Sequence, residues 1–430
     1  MGDMFRTKTN GKSGPAKGQH PRNGLISALD IGSSKVACII ARTEHGGLNV
    51  LGSALRESQG IRAGAVTSLD LAAQSIREAV EAAEDLADHR IQDVVLAVQC
   101  GQPRSVNTRA EGSAAGALIN DSHLRVLLAD AKRRCKEEGY ENIQAAPTGY
   151  VVDQSRGISD PRGMYCDRLG VSVHAVAVRT GPLQNLRLAV ERCHLTISRQ
   201  LFAPYASGIS ALTPDEMSLG VTLVEMGGGC TSVCVFMDDV MVHVDSLPIG
   251  GAAITADIAK MLSTPLLAAE RIKTLYGSAL GELDSGGDLI EVPLMGEEGE
   301  RGNDRVRRSI LTRIIRARLE EIFGEIQARL MKSGFDVAAG RRAVLTGGAC
   351  QLAGARELAA ELLNKQVRIG RPQTFPGLAA ATAGPAYATA LGLLISGATS
   401  PPETTDPNPP AEERSPRRGF ARWVTESLFS

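Results

Sequence analysis

Short apolar runs alternate with longer amphipathic stretches along most of this chain. Residues 25–28 and 36–41 are mainly apolar and lie on either side of a tight turn, which is typical of a strand hairpin. Residues 69–86 instead have apolar side chains at helical spacing, at Leu71, Ile76, Val80 and Ala83. Strands that alternate with helices in this way predict an α/β protein with mixed sheets.

The hairpin pattern occurs a second time, at residues 221–236, around a turn of consecutive glycines. An ungapped alignment of the two turns pairs Asp30 with Glu225 and Gly32 with Gly227. An acidic residue followed by glycine at both places predicts two similarly built halves that face one ligand.

Turns made of Gly and Ser let backbone N–H groups converge on an anion, because no bulky Cβ substituent is in the way. The two turns therefore predict a polyphosphate site formed by Gly32, Ser33, Ser34, Gly227, Gly228, Gly229 and Thr231. Asp30 and Glu225 would face a Mg²⁺ ion through its bound waters. One glycine turn is most often only a connector, but two matching turns and a third at residues 346–348 favour a ligand site.

The composition narrows the functional class. With 430 residues, of which 43% are hydrophobic, the chain can fill the cores of two lobes. Its net charge of -1 provides no overall positive field, so no nucleic acid is expected as a partner. The cysteines form no CxxC pair and accompany no paired histidines at zinc spacing, which indicates a reducing cytoplasm and no zinc site.

Three segments resemble the ATP-binding motifs of the actin, Hsp70 and sugar-kinase group. Residues 28–35 are similar to its first phosphate motif, residues 224–229 to its second, and residues 344–349 to its adenosine motif. Residues 204–207 and 386–392 resemble the two helices that connect the lobes in that group. The resemblance implies an actin-like two-lobe ATPase fold with ATP and Mg²⁺ as ligands.

Within this group the chain is similar to the FtsA family of bacterial cell-division proteins over residues 25–396. The segments that carry this similarity include residues 212–216, 249–251, 256–259 and 269–273. The resemblance implies that Lys35 joins the phosphate site, and that the nucleoside is bound by Glu270, Lys273, Gly347, Gly348 and Ala349. On spacing alone, Glu270 and Lys273 also fit an ordinary exposed ion pair one helical turn apart.

The same resemblance divides the chain into lobes, insertions and tails. The implied ranges are 24–93, 180–205 and 371–396 for lobe 1, 206–264 and 336–370 for lobe 2, 94–179 for an FtsA-type inserted subdomain, and 265–335 for a subdomain of lobe 2. Charged helices are expected near residues 124–138 and 305–330. The remaining ranges are a disordered tail at 1–23, a Pro-rich linker at 397–415 and an amphipathic helix at 416–430.

Two residues depart from the family pattern. Glu225 stands where the second phosphate motif usually has Asp, and its extra methylene would displace the carboxylate from the metal waters. Ala203, just before the first connecting helix, offers no group to position a water where relatives that hydrolyse ATP well have one. Both departures predict ATP binding with at most slow hydrolysis.

The last residues have the pattern of a short membrane-surface helix. Ser415 followed by Pro416 fits an N-cap and first turn. At helical spacing, one side is apolar and the other polar, with Phe420, Trp423, Val424 and Leu428 opposite Arg418, Arg422 and Glu426. The arrangement predicts binding to membrane lipids, and the alternative is a helix that packs on the protein's own surface.

The resemblance also implies partners and a location. It implies filaments of the chain itself, later division proteins bound through the insert, and the FtsZ C-terminal peptide bound near Arg313 and Arg316. The implied location is the cytoplasmic side of the bacterial inner membrane, at the division septum. Two alternatives stay open: a sugar or acid kinase of the same superfold, which needs a catalytic carboxylate between the lobes, and a pilus-assembly actin-like adaptor.

Overall fold

A computed structural model describes residues 24–44, 47–280, 288–296 and 303–399. The predicted tail at 1–23, the predicted helix at 416–430 and the predicted linker from residue 400 onward lie outside the described residues. The linker was predicted to begin at residue 397, but residues 397 and 398 belong to the helix before it, because their side chains are buried in lobe 1. Within the described ranges no single helix is both long and apolar enough to cross a bilayer, although two consecutive helices bent by 110° pass that test as a pair.

The strands are, in chain order, β1 (Leu25–Ile31), β2 (Lys35–Glu44), β3 (Gly47–Glu57), β4 (Ile61–Arg62), β5 (Ala65–Val66), β6 (Asp93–Val98), β7 (Arg104–Leu118), β8 (Tyr140–Val152), β9 (Ser155–Ile158), β10 (Tyr165–Arg179), β11 (Thr196–Phe202), β12 (Val221–Met226), β13 (Thr231–Met237), β14 (Val240–Leu247), β15 (Leu289–Pro293), β16 (Asn303–Arg307), β17 (Arg342–Thr346) and β18 (Gln366–Ile369).

The helices are α1 (Leu69–Ala87), α2 (Asp121–Arg134), α3 (Thr180–Glu191), α4 (Ala203–Ala211), α5 (Pro214–Leu219), α6 (Gly251–Met261), α7 (Leu266–Tyr276), α8 (Arg308–Ser333), α9 (Phe335–Ala338), α10 (Ala355–Leu363) and α11 (Ala388–Ala398).

Two five-stranded sheets form the two lobes and share one topology. The first has the strand order β11-β6-β1-β2-β3, and the second, read from its other edge, β18-β17-β12-β13-β14. In the first sheet, the hairpin β1–β2 is extended by the antiparallel strand β3 on one side and by the parallel strands β6 and β11 on the other. In the second sheet, the hairpin β12–β13 is extended in the same way by β14 and by β17 and β18. The repeated hairpin pattern of the sequence therefore corresponds to a repeated sheet.

The helices α4 and α11 pack against each other and connect the lobes. α4 contacts β11 of the first sheet and β12 of the second, while α11 lies on β1 and β6. The helices cross closely, because a Cβ on Gly392 would overlap the carbonyl of Ala206. Buried hydroxyls add hydrogen bonds at the crossing, since Ser210 donates to the carbonyl of Ala388 at 2.6 Å.

The insert has a sheet of its own, in the order β7-β10-β8-β9, which packs on α2 around a separate apolar core. The predicted insert began at residue 94, but β6 pairs with β1 and β11 in the first sheet, so the separate sheet begins only with β7. The predicted charged helix at 124–138 is α2, which begins earlier because Asn120 and His123 form a capping box.

The subdomain of lobe 2 contains α7, the hairpin β15–β16 and the long helix α8. The predicted long helix began at residue 305, but residues 303–307 pair with β15, so α8 begins at Arg308. Its buried residues recur every three or four positions and join the core of lobe 2, at Leu311, Ile315, Leu319, Ile322, Ile326 and Leu330.

Candidate functional site

The two predicted turns face each other across the gap between the lobes. Each is closed by the same backbone hydrogen bond, from Gly32 to the carbonyl of Lys35 and from Gly227 to that of Cys230, both at 2.9 Å. A Cβ on Gly228 would overlap the side chain of Ser34 on the opposite turn. Glycine is required there because the opposite turn occupies the space that a side chain would need.

The hydroxyl groups predicted at this site have different surroundings. Ser33 lies against Gly229 of the second turn and accepts a hydrogen bond from the N–H of Gly64 at 3.0 Å. Thr231 is fully buried and donates to the carbonyl of Ile249 at 2.8 Å. The Thr231 hydroxyl thus supports the base of the second hairpin, and its proton is not available to a ligand in this structure.

Two carboxylates and one ammonium group lie beneath the turns. Burial raises the pKa of Asp30, although the neighbouring Lys35 opposes the rise. Burial also lowers the pKa of Lys35, and the charges of Asp30 and Glu225 oppose that fall. Lys35 Nζ donates to the carbonyl of Ala386 and lies 4.6 Å from the ring centre of Tyr387. The first turn is therefore tied to the segment that leads into α11.

Glu225 is held by both connecting helices. Its Oε1 accepts a hydrogen bond from Thr389 of α11 at 2.7 Å, and the Ser207 hydroxyl of α4 is 2.9 Å from that of Thr389. Burial raises the pKa of Glu225 to about 7, while the hydroxyls of Thr389 and Ser207 counteract part of this rise. Its buried Oε2 has no hydrogen-bond partner in the part of the chain that the structure describes. A buried polar atom of this kind calls for a cation or an ordered water.

The third glycine turn lies against the second. Gly347 has a φ of 86°, and a Cβ there would meet the backbone of Met226 at the start of the second turn. The N–H of Gly347 donates to the carbonyl of Pro385 at 3.2 Å. A cavity of about 350 Å³ opens beside this turn, lined by residues that include Cys350, Gln351, Leu352, Ile369 and Arg371.

Lys273 and Glu270 are part of this same region. Lys273 Nζ donates to Glu270 at 2.7 Å, to Thr255 Oγ1 at 2.8 Å and to the carbonyl of Gly251 at 3.1 Å. The Lys273 side chain is 14% exposed and that of Glu270 is 53% exposed, so only the lysine side of this ion pair is buried. Gly251 in turn lies against Ala349, which brings these residues to the third turn.

Three residues of this site escaped the sequence analysis. Thr389 and Ser207 lie in the segments that resemble connecting helices, but helical spacing alone does not show that their hydroxyls meet a carboxylate from a distant strand. Thr255 lies one helical turn after Gly251, and its hydroxyl also bonds the Gly251 carbonyl at 3.2 Å. The available signal was a hydroxyl residue, Thr255, within the otherwise apolar buried stripe of α6.

The two candidate arginines for peptide binding lie on α8, away from the turns. Arg313 is exposed, while Arg316 forms ion pairs with Glu320 at 2.7 Å and with Glu361 of α10 at 3.6 Å. The structure therefore places Arg313 in solvent and Arg316 partly against its own neighbours.

The lobes, connecting helices and facing turns define an actin-like protein of two lobes with a separate domain inserted in the first. A chain of the PilM-PilN type IV pilus biogenesis complex has a similar fold, with a TM-score of 0.61 and 18% identity over 87% of this chain and 99% of that chain. MreB5 of Spiroplasma citri bound to ADP is also similar, with a TM-score of 0.50 and 10% identity over 87% and 94%.

Sequence comparison identifies the family. Residues 222–392 match "Cell division protein FtsA", and residues 100–177 match "SHS2 domain inserted in FTSA". Cell division protein FtsA of Agrobacterium fabrum is 39% identical over 87% of both chains, that of Neisseria meningitidis 35% identical over 94% of this chain and 98% of its own, and that of Escherichia coli K12 30% identical over 87% and 91%. The chain belongs to the FtsA family of cell division proteins.

Proposed function

We propose that this chain binds ATP with Mg²⁺ between its two lobes, assembles with itself, and attaches FtsZ to the cytoplasmic face of the inner membrane at the division septum. Membership of the FtsA family supports the role in division. The observation that carries the nucleotide part is the close approach of two glycine turns beside a buried, unpaired carboxylate oxygen of Glu225.

The facing turns suit a polyphosphate. Backbone N–H groups in glycine turns bind anions without a side chain, and the chain leaves no room for a side chain at Gly228. Lys35 adds a positive charge, and its ammonium group, which donates one hydrogen bond to the Ala386 carbonyl, has further N–H groups for a phosphate.

The residues below the turns fit a divalent cation. Asp30 is half-buried and Glu225 is buried, and the negative charges of both oppose the fall in the pKa of Lys35. We propose that they hold Mg²⁺ through its bound waters. The ion would supply positive charge against the phosphates, as hard cations bound by oxygen ligands do.

The region around the third turn suits the nucleoside. Gly347, Gly348 and Ala349 form its floor in this proposal, and Lys273 with Glu270 forms one side. The adjoining cavity of about 350 Å³ provides space next to these residues. MreB5, whose fold is similar, is bound to ADP, and this supports a nucleotide in the equivalent place.

We expect hydrolysis to be slow. Ala203 begins α4, is 1% exposed and has no polar group with which to orient a water. Glu225 uses one oxygen to accept the Thr389 hydrogen bond, so its longer side chain is directed towards α11. Turnover of many ATP molecules per second by the pure protein would contradict this part of the proposal.

Co-sedimentation with liposomes tests the whole proposal. Purified full-length chain is mixed with anionic liposomes and a labelled FtsZ C-terminal peptide, with and without Mg²⁺-ATP. The expected result is that peptide sediments only when the chain is present, and that ATP increases the amount. Peptide that stays in solution while the chain sediments would exclude the FtsZ contact but not the membrane contact.

A charge reversal locates the peptide contact. Arg313→Glu with Arg316→Glu should weaken peptide binding several-fold and leave ATP affinity nearly unchanged, because both residues lie on α8 outside the cleft. The matched control is Arg125→Glu with Arg133→Glu on exposed positions of α2. Equal peptide affinity in both double variants would mean that the peptide binds elsewhere.

A further inference from the structure

The insert contacts the second lobe as well as the first, from which it emerges. β14 is the edge strand of the second sheet, and its outer side lies against β7, β8 and β10 of the insert. An edge strand presents unpaired backbone N–H and C=O groups along its outer side. At this edge a hydroxyl of the insert lies against both outward-facing backbone groups of one residue, Val244.

Ser105 of β7 binds the outward-facing backbone of Val244. The N–H of Val244 donates to Ser105 Oγ at 2.7 Å, and the carbonyl of Val244 lies 3.2 Å from the same oxygen. Both groups point away from β13, so Val244 and its partner Cys234 form a non-hydrogen-bonded pair of the antiparallel ladder. The Ser105 hydroxyl thus occupies the place of a neighbouring strand at this residue.

Two histidines complete the network, one from each side of the contact. His174 Nε2 of β10 lies 3.0 Å from Ser105 Oγ, and His243 Nδ1 of β14 lies 3.3 Å from it. His174 also donates a hydrogen bond to the backbone of Met241, and this bond raises the pKa of His174. Because Nε2 faces Ser105, the nitrogen that carries the proton is Nδ1. The consistent assignment is that Ser105 gives its one proton to His174 and accepts from His243 and from the Val244 N–H, with both imidazoles neutral. In this assignment the Val244 carbonyl lies near the hydroxyl but does not receive its proton.

The network is closed off from water. His174 is 2% and His243 is 9% exposed, and the ring of Phe335 from α9 stacks on His243 with 5.0 Å between ring centres. His243 Nε2 has no hydrogen-bond partner among the described residues. The adjoining cavity of about 10 Å³, which Asp245 and Arg329 also line, is at the lower limit for one water.

We propose that Ser105, His174 and His243 form a lobe junction, through which the insert holds lobe 2 in a fixed position relative to lobe 1. The chain itself crosses between the lobes twice, at α4 and in the segment between β18 and α11. The lobe junction is a third crossing, and it is non-covalent. When the lobes rotate about α4 and α11, these hydrogen bonds must therefore either break or keep the insert attached to lobe 2. While they stay intact, a partner that moves the insert also moves lobe 2.

Hydrogen exchange of the full-length chain tests the lobe junction without any ligand. Ser105→Ala removes the partner of the Val244 N–H, and we expect this amide to exchange at least tenfold faster relative to the Val224 amide of β12, the central strand of the sheet. The Gly347 N–H, which bonds Pro385 between lobe 2 and the segment before α11, should also exchange faster. Using the Val224 amide as an internal reference removes any uniform loss of stability.

Two further variants serve as controls. Ser105→Thr keeps the hydroxyl and should restore most of the protection. Ser113→Ala removes a hydroxyl of the same strand that bonds only within the insert, to the Asp167 carbonyl and the Ala115 N–H, and should leave both amides unchanged. An unchanged Val244 amide in Ser105→Ala, or a change at Val244 without one at Gly347, would overturn the proposal.

Discussion

Single atoms determine how close the lobes come at the cleft. Gly228 and Gly229 leave space that the side chains of Ser34 and Ser33 occupy, so the two turns can meet. Below them, one carboxylate is bonded by Thr389 and keeps its other oxygen unpaired. Sequence spacing predicted which residues form the turns, because each turn is local. It could not predict the partners of Glu225, because they come from helices far along the chain.

A methyl group at residue 228 should separate the turns. Gly228→Ala places a Cβ on the side chain of Ser34, and such overpacking costs about 1–3 kcal/mol. We expect ATP affinity, measured with a fluorescent ATP analogue, to fall by about tenfold or more, and Gly228→Asp to abolish binding by adding negative charge. Gly181→Ala, at a position with open space around it, is the control. Unchanged affinity in Gly228→Ala would mean that the turns separate freely.

The lobe junction should make stability depend on pH. Burial and, to a smaller extent, the neighbouring His243 lower the pKa of His174 to about 3, although a hydrogen bond to the Met241 backbone opposes the fall. As pH falls from about 6.5 towards 3, the unfolded chain binds a proton at this residue that the folded chain does not, so the free energy of unfolding decreases. The surrounding groups that bear on the pair are Ser105, the Met241 backbone, Asp245 and, bonded to Asp245, Arg329.

Denaturant unfolding between pH 7.5 and 5 measures this dependence. In His174→Gln, the slope of the free energy of unfolding against pH should decrease by as much as about 1.4 kcal/mol per pH unit, which is the value for one proton. His194→Asn, an exposed histidine, should keep the slope of the parent protein because His174 is still present. Equal slopes in all three proteins would show that His174 does not limit stability in acid.

At the scale of elements, the connecting helices depend on small residues. α4 and α11 lie so close together that a Cβ on Gly392 would overlap the Ala206 carbonyl. The hydroxyls of Ser207, Ser210 and Thr389 form hydrogen bonds where the two helices cross. Long periodic elements such as α1 and α8 were predictable because their buried stripes repeat along the sequence. β6 was assigned to the insert because a short apolar run does not reveal which sheet it joins. β16 was missed because its five residues carry no apolar alternation.

A methyl group at the crossing should destabilise the protein. Gly392→Ala would overlap the Ala206 carbonyl, and we expect the free energy of unfolding to fall by about 1–3 kcal/mol. Gly324→Ala provides the opposite case, because Gly324 lies in α8 with no atom near its Cβ position, and alanine there should stabilise by about 0.5–1 kcal/mol. Denaturant midpoints of the two variants should therefore move in opposite directions. Stabilisation by Gly392→Ala would mean that the helices have room to separate.

At the scale of the whole molecule, function depends on how weak contacts combine. The predicted helix at 416–430 offers four apolar side chains, each worth about 1.5–3 kcal/mol if fully buried. Ordering a short helix costs about 1–2 kcal/mol per residue, so one copy should bind a bilayer weakly. Copies joined in a filament would bind far more strongly, by about 10²–10⁴-fold.

Changing one aromatic residue tests this anchor. Trp423→Glu, or deletion after Ser415, should release the protein from liposomes and leave ATP binding and the unfolding midpoint unchanged. Trp423→Phe is the matched control, because it keeps an aromatic ring and should retain most of the binding. Full sedimentation of the truncated chain with vesicles would contradict the anchor and favour a helix that packs on its own domain.

The equal strand orders of the two lobes point to the ancestry of the molecule. Two units of one topology, with matching turns at a shared cleft, are what results when a gene is duplicated and its copies are fused. Before fusion, such a pair would have been a twofold-symmetric dimer with its ligand on the axis. The later additions fall at different connections, after β6 in one lobe and after α6 in the other. They remove the twofold symmetry from the folded chain, so copies that joined head to tail would form a row with a direction.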